Sequence, residues 1–399
     1  MTSFEQLSPL IRNDPHVDFE TVLTHPDIVT ALRSGTDELI GYLSKDVSIH
    51  KEFSYIFMVE SPKNIIEKKC RRNIVSAICS LCFKLQDSLK DNQIFIDYLV
   101  SFTNMDKINN DSSVLGNFTR IVEVFTRLTN GAFMKHFENL PKFLISKIHH
   151  LAAQDLFVCI MTEFAGYLSS NDKVYAFGEL FDKINGENGF SLVSSINTII
   201  TEKPEYLKIL PINGYVERLI SSLLNGSPLC NKDLYFIESF KFIKSALSAN
   251  TNSVQNQLKK YEDSFIKDAE VLPYTPYALS VFPSKITLFL PLFFSEYPNT
   301  FICETIFKII LTYDSTRLVQ FIKENNILSQ ITDRMGKKCF NGFVYELAFH
   351  CVSINAVITQ CRGWFRFNDN ILTPYLKDKR QNKQAIYTMP SNGHQIPCC

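Results

Sequence analysis

The sequence lacks a net charge and has almost no tryptophan. Its 41 Lys and Arg balance 41 Asp and Glu, and a single Trp stands against 33 Phe. Nucleic-acid binding needs an electropositive surface, so the even charge balance predicts no nucleic-acid partner. Hydrophobic residues make up 45% of the chain and charged residues 21%. This composition is typical of a folded globular protein, with many Phe side chains to fill helix interfaces.

No long uninterrupted apolar run is present. The most apolar stretch, residues 271–294, is broken by four prolines and Lys285, whereas a transmembrane helix needs about 20 consecutive apolar residues. We therefore predict buried turns and short helices here and no transmembrane segment. Residues 1–10 also lack the charged-then-apolar order of a secretory signal. We expect a cytoplasmic protein, with the nucleus as a second compartment.

The chain lacks the motifs of common catalytic and phosphate-binding sites. It contains no GxxxxGK[ST], GxSxG or HExxH motif, no HRD with DFG, and no GxGxxG after a strand. It also lacks the Gly-Asp-x-His and Asn-His-Glu ligand runs of metallophosphatases. The sequence therefore predicts no catalytic residues, no enzymatic activity and no cofactor.

Cysteine and histidine spacing does not complete a metal site. The one Cys-x-x-Cys pair, Cys79 and Cys82, lies in an apolar helical run, and no second pair completes a tetrahedral zinc site. The adjacent His149 and His150 would point about 100° apart on a helix. We therefore expect one exposed and one packed histidine, and we interpret the 11 cysteines as free, mostly buried thiols.

Residues 113–168 contain three amphipathic runs with helical spacing. The first run is broken at Asn130-Gly131, and Pro141 suits the first turn of the second. The apolar positions of the first run are Val114, Leu115, Phe118, Ile121, Val122, Phe125 and Leu128, and those of the third are Leu156, Ile160, Phe164 and Tyr167. Such short helices bury their stripes only by packing on neighbours. The pattern predicts an all-α fold, an α-solenoid of armadillo/HEAT-like repeats.

The pattern of the first run recurs 184 residues later without a gap. Seven apolar pairs fall in register: Phe118 and Ile302, Val122 and Ile306, Phe125 and Ile309, Met134 and Leu318, Phe137 and Phe321, Phe143 and Ile327, and Leu144 and Leu328. Internal repetition is one interpretation. The other is coincidence, because any two amphipathic helices can be slid into some register.

Composition divides the chain into three parts. We predict an irregular lead over residues 1–20, a helical-repeat domain over 21–376 and a disordered tail over 377–399, which is rich in Lys, Gln, Asn and Pro. Within the domain, residues 249–257 are polar and predict a flexible loop between repeats. The tail ends in Cys398-Cys399, an ending that is prenylated in some small GTPases. Lipidation of these cysteines is the alternative to unmodified thiols.

A run of five residues holds four cations: Lys68, Lys69, Arg71 and Arg72. Clustered exposed charge acts mainly on the rate and specificity of protein association. The cluster is therefore our candidate partner-binding surface. The alternative is a solvated helix start or loop, because Lys and Arg stems often cover helix ends without binding anything.

Five stretches, in this order along the chain, resemble the SAPS domain. They are HPDIVTALRSGTDELIGYLS (25–44), KKCRRNIVSAICSL (68–81), SVLGNFTRIVEVFTRLTNGAFMKHFENLPKFLISKIHHLAAQDLFVCIMTEF (113–164), FFSEYPNTFICETIFKIIL (293–311) and FIKENNILSQI (321–331). The resemblance spans roughly residues 20–375. One segment departs from it, because residues 342–347 read GFVYEL where the family typically has Gly-Tyr-Met-Gly-His-Leu.

The resemblance implies a function. SAPS-domain proteins are regulatory subunits of protein phosphatase 6. Their helical repeat has no catalytic residues, binds the catalytic subunit of this serine/threonine phosphatase and directs it to substrates, and the resemblance leaves room for a further scaffold subunit. The other interpretation is an unrelated armadillo or HEAT-type adaptor in transport, cytoskeleton or membrane traffic, because a fold does not determine function.

Overall fold

The protein is helical throughout the residues that its computed structural model describes. These are residues 7–14, 16–59, 62, 64–105, 110–225, 232–249, 251–295, 298–333, 342–352 and 364–377. They include no β-strand, which confirms the all-α prediction. The chain divides into two compact units, one ending at Ala249 and one beginning at Asn250. The predicted domain over 21–376 spans both units, and its limits stay predictions.

The first unit consists of short helices joined by turns. Its helices are α1 (Leu7–Asn13), α2 (Phe19–Thr24), α3 (Ile28–Ser34), α4 (Asp37–Leu43), α5 (Asp46–Ile56), α6 (Ile65–Ser76), α7 (Phe83–Leu89), α8 (Gln93–Phe102), α9 (Ser112–Leu128), α10 (Leu140–Ser146), α11 (Leu151–Thr162), α12 (Ser170–Asp182), α13 (Gly189–Glu202), α14 (Tyr206–Ile209), α15 (Ile212–Asn225) and α16 (Lys232–Ala249). A π-helical turn, Ala77–Leu81, continues α6, and 3-10 turns at Ala132–His136 and Ala165–Tyr167 follow α9 and α11.

The second unit has the same character. Its helices are α17 (Thr251–Leu258), α18 (Glu262–Phe265), α19 (Thr275–Val281), α20 (Ile286–Phe293), α21 (Thr300–Leu311), α22 (Ser315–Glu324), α23 (Ile327–Thr332), α24 (Gly342–Val352) and α25 (Trp364–Phe367). The flexible loop predicted over 249–257 is wrong, because α17 occupies most of it. Two apolar residues one turn apart, Val254 and Leu258, are buried and dock this polar helix.

Two further predictions concern residues 1–20 and the tail beyond Lys377. Within residues 1–20, predicted as irregular, Leu7–Asn13 forms α1, which buries Leu7 and Ile11. The prediction is wrong there, since two apolar residues four positions apart are enough to hold a short helix against its neighbours. The predicted tail beyond Lys377, including Cys398 and Cys399, lies outside the described residues.

Polar caps fix where α9 and α21 begin. The Asp111 carboxylate accepts hydrogen bonds from the backbone N–H groups of Ser113 and Val114 at the start of α9, both at 2.9 Å. Asn299 caps α21 in the same way through the N–H of Ile302. Such caps satisfy backbone donors that have no partner within the helix. They therefore set the register of each apolar stripe.

One row of helices in the first unit runs in the order α2, α6, α9, α11, α13 and α16. Each packs on the next, except that α9 packs on the π-helical turn Ala77–Leu81 that continues α6. Hydrogen bonds between neighbours in this row join residues 36 to 50 positions apart. The joined pairs are Asn73 and Leu23, Arg71 and Ser113, Ser112 and His150, Arg127 and Glu163, and Asn197 and Glu238. Because α9 meets α11 start to start and end to end, these two helices run in the same direction.

A second row lies against the first and consists of α5, α8, α10, α12 and α15. In this row α5 packs on α6 and α8, α10 packs on α11 and α12, and α15 packs on α16. Ring contacts link the remaining neighbours. Phe102 of α8 meets Phe143 of α10 with centroids 6.1 Å apart, and Phe181 of α12 stacks on Tyr215 of α15 at 3.8 Å. Helices of the second row therefore bury apolar residues against both rows.

The predicted apolar stripe of α9 is mostly correct. All of its positions are fully buried except Leu128, whose side chain is 39% exposed. Leu128 is the last residue of α9, so the neighbours that cover the stripe end before it. Tyr167, predicted to share a face with Leu156, is 43% exposed for a similar reason. The helix that carries Leu156 ends at Thr162.

Both members of each predicted repeat pair are buried, from Phe118 and Ile302 to Leu144 and Leu328. The helices that carry the first three pairs, α9 and α21, also end at nearly equivalent positions. The next elements differ, because the 3-10 turn Ala132–His136 corresponds to part of the ten-residue helix α22. Burial agrees with a repeat and also with two unrelated core helices. Repetition stays a prediction.

Helix α5 carries a buried carboxyl group that has no hydrogen-bond partner among the described residues. Glu52 is 0% exposed, and within this part of the chain neither of its carboxyl oxygens makes a hydrogen bond. Burial penalises the ionised form, which raises the pKa of Glu52 well above its ordinary value. The folded protein therefore favours the neutral acid at this position.

This buried acid predicts a pH-dependent stability. The contribution of Glu52 to the free energy of unfolding is fully present below its unfolded-state pKa of about 4.3. Above that pH the free energy of unfolding falls by up to about 1.4 kcal/mol per pH unit, until pH reaches the folded-state pKa. Glu52→Gln removes the titration, so we expect the variant to gain stability relative to wild type as pH rises. Urea unfolding across the pH range measures the difference. Glu202→Gln, at an exposed position, is the control, and parallel wild-type and Glu52→Gln curves would contradict the prediction.

Candidate protein-binding surface

The predicted basic cluster lies in the first two turns of helix α6. The Asn64 side chain caps this helix by accepting a hydrogen bond from the Glu67 backbone N–H at 2.8 Å. Cys70, Asn73 and Ile74 recur at helical spacing and are buried. These residues fix the inner face of α6. The cations between them must therefore lie on its outer and lateral faces.

The structure separates the four predicted cations into two groups. Lys68, Lys69 and Arg72 are exposed, whereas Arg71 is half-buried and donates a hydrogen bond to the Ser113 hydroxyl of α9 at 2.9 Å. Arg71 therefore joins two helices of the first row. The other three, with Ile65 one turn earlier, form the surface that we call the α6 basic face.

The cations of the α6 basic face have no carboxylate partner among the described residues. The side chains of Lys68 and Lys69 make neither a hydrogen bond nor an ion pair there, and Arg72 Nε donates to the neutral Asn73 Oδ1 at 3.5 Å. Many other exposed or half-buried cations of the first unit are paired. The pairs include Arg12 with Glu38, Lys51 with Asp18, Lys84 with Asp37, Lys90 with Asp87, Arg127 with Glu163 and Arg218 with Asp182. The α6 basic face therefore carries positive charge that no carboxylate of the described residues compensates, although the whole chain has no net charge.

Apolar side chains border these cations. Ile65 is 74% exposed and Ile66 is 47% exposed, both in the first turn of α6. Single exposed apolar residues are common on protein surfaces. Here two adjacent isoleucines lie within about two turns of three cations that form no ion pair among the described residues. The face therefore has an apolar and a cationic part.

The Cys-x-x-Cys pair lies in the core, and the adjacent histidines lie at or near the surface. Cys79 and Cys82 are buried, and burial raises the pKa of the Cys79 thiol to about 12. The part of the chain that the structure describes contains no group of three His, Cys, Asp or Glu residues that could hold a metal ion. His149 is exposed and His150 is half-buried, with ring centroids 4.1 Å apart. Partial burial, followed by nearby positive charge, lowers the pKa of both imidazoles.

A charged network between α9 and α11 was not predicted. Arg127 donates to Glu123 on its own helix at 2.9 Å and to Glu163, the residue that caps the end of α11, at 2.8 Å. These hydrogen bonds lower the pKa of the Glu163 carboxyl and raise that of Arg127. The four-residue spacing of Glu123 and Arg127 is a signal that the sequence does contain. The contact with Glu163 depends on the packing of α11.

A shallow groove near the end of α11 was also not predicted from the sequence. It has a volume of about 200 Å³ and is lined by Met134, Lys135, Phe137, Glu138, Asn139, Leu140, Pro141, Lys142, Ile160, Tyr167, Leu168, Asp172 and Tyr175. One wall depends on Gly131, which adopts a left-handed φ of 94°. A Cβ at this position would lie 2.3 Å from the Tyr167 ring. Only glycine therefore lets this ring lie against the chain.

The chain was compared with family models, curated proteins and solved structures, and none of them matches it. No helix among the described residues is by itself long and apolar enough to cross a bilayer. Two helical segments, Thr275–Val281 and Pro283–Phe293, are together long and apolar enough, but the chain bends by 115° at the break between them.

The contact between Gly131 and Tyr167 makes a prediction about stability. Gly131→Ala should destabilise the fold by about 1–3 kcal/mol, because alanine is strained at positive φ and its methyl group would clash with the ring. Gly116→Ala is the matched control. A Cβ at Gly116, inside α9, meets no atom within 4 Å, so we expect this variant to gain about 0.5–1 kcal/mol. Urea unfolding measures both, and equal effects would contradict the prediction.

Proposed function

We propose that this chain is a non-catalytic regulatory subunit that binds a phosphatase 6-type serine/threonine catalytic subunit and directs it to substrates. The α6 basic face is the observation that carries the proposal. Its three cations lie in one of the stretches that resemble the SAPS domain, and they have no carboxylate partner among the described residues. Uncompensated charge suits a surface that is completed by another protein. We place the protein in the cytoplasm and the nucleus.

The arrangement of helices in the first unit supports a solenoid as the scaffold of this subunit. Neighbours in the first row are joined by residues 36 to 50 positions apart. Armadillo and HEAT repeats recur at about 40–47 residues and stack two or three helices each. The second row of helices, packed against the first, also agrees with repeats of two or three helices. Such stacks expose long helix faces that partners can contact.

The proposal assigns the chemistry to the partner. Hydrolysis of a phosphate ester by this class of enzyme relies on bound metal ions, which stabilise the charge and activate water. The chain carries no metallophosphatase ligand run in its sequence. In this proposal it supplies binding energy and orientation, while the catalytic subunit supplies the metal centre.

Affinity purification of the full chain from its native cells tests this function. We expect a phosphatase 6-type catalytic subunit in near-stoichiometric amount, because the proposed complex is the working form of the protein. The complex should hydrolyse a phosphopeptide, and the purified chain alone should not. Quantitative mass spectrometry and a phosphate-release assay measure both. Stoichiometric capture of transport, cytoskeletal or trafficking proteins without a phosphatase would favour the adaptor interpretation instead.

A further inference from the structure

The spacing of the α6 basic face defines what could bind it. Lys68 and Arg72 are four residues apart and Lys69 and Arg72 are three apart, so all three lie on the same side of α6. Like charges at this spacing repel each other in the free protein. Carboxylates from another molecule would relieve that repulsion. The described residues provide none.

The apolar part of the face adds a second requirement. Ile65 precedes Lys69 by four residues and Arg72 by seven, which continues the same stripe toward the start of α6. With 74% of its surface exposed, Ile65 loses contact with water only if a partner covers it. An occupant of the whole stripe therefore needs carboxylates and an aliphatic side chain on one side.

We propose that the α6 basic face binds an acidic amphipathic helix of a protein partner. Carboxylates one turn apart on that helix would pair with Lys68, Lys69 and Arg72, while an aliphatic side chain next to them would cover Ile65. The inference deepens the proposed function. It rests on that function because it assumes that the chain acts by binding other proteins.

The size of the face favours a helix over larger anionic surfaces. Four residues along a helix span about 6 Å, so the three cations occupy little more than one turn. A membrane surface or a nucleic acid is held by many cations spread over a wide area. Equal numbers of acidic and basic residues in the whole chain also give no general attraction to such surfaces.

A labelled peptide tests the proposal directly. We would use about three repeats of the heptad Glu-Leu-Ala-Glu-Glu-Leu-Ala, long enough to form a helix and with Glu and Leu on adjoining faces. Its control carries Gln in place of every Glu. We expect fluorescence anisotropy to show binding of the Glu peptide, with affinity that falls as salt rises, and no binding of the Gln peptide.

Two charge-reversal variants locate the site. Lys68, Lys69 and Arg72 changed together to Glu should lower the affinity at least about tenfold. The control changes Lys142, Lys173 and Lys208 of α10, α12 and α14 to Glu, which alters net charge equally away from α6. It should keep the affinity within about twofold. Both proteins should melt close to the wild-type temperature, since the substituted cations are exposed or, for Lys173, half-buried, and such surface charges contribute little to stability. Ile65→Ser should weaken binding without changing its salt dependence.

Several results would overturn the inference. Equal loss of affinity in both triple variants would show general charge attraction, and equal binding of the Gln peptide would show an apolar site. Tighter binding to phosphatidylserine vesicles, lost in the α6 triple variant, would assign the face to a membrane. Phosphatase capture separates this inference from the proposed function. Capture without peptide binding refutes only the inference, and peptide binding without capture refutes only the proposed function.

Discussion

Contacts between phenylalanine rings of successive helices hold the first unit together. Phe53 of α5 meets Phe95 of α8 at 5.3 Å, and Phe95 meets Phe125 of α9 at 5.0 Å. Phe102 and Phe118 stack at 4.5 Å in the same interface. Such contacts add to the free energy gained by burying the rings. Because each helix is covered by its neighbours, the remaining faces stay on the surface and are available for binding.

This division between buried stripe and free face explains how an unpaired basic surface persists. The stability of α6 comes from its Asn64 cap and from Cys70, Asn73 and Ile74 on the inner side. Exposed charges on the outer side add or remove little. Their identity can therefore follow the needs of a partner. The half-buried Arg71 has the opposite role, because its hydrogen bond to Ser113 joins two helices.

Helical periodicity was sufficient to predict the all-α fold and the buried stripe of α9. It was wrong at Leu128, and it missed α17, because helix ends and short polar helices depend on contacts with neighbours. The sequence located the basic cluster, but only packing shows that Arg71 turns toward α9. No local sequence pattern indicates the buried carboxyl of Glu52 or the contact of Gly131 with Tyr167. Both depend on tertiary packing, which one sequence does not reveal.

Hydrogen exchange of the Phe118→Ala variant tests the central claim, a stack in which helices depend on their neighbours. Removing this fully buried ring should cost about 3–5 kcal/mol locally. In a stack, exchange should accelerate in α8, α9 and α10, while α16, several helices away, should keep its wild-type rates. An equal acceleration in α16 would instead show a single cooperative core and contradict the account.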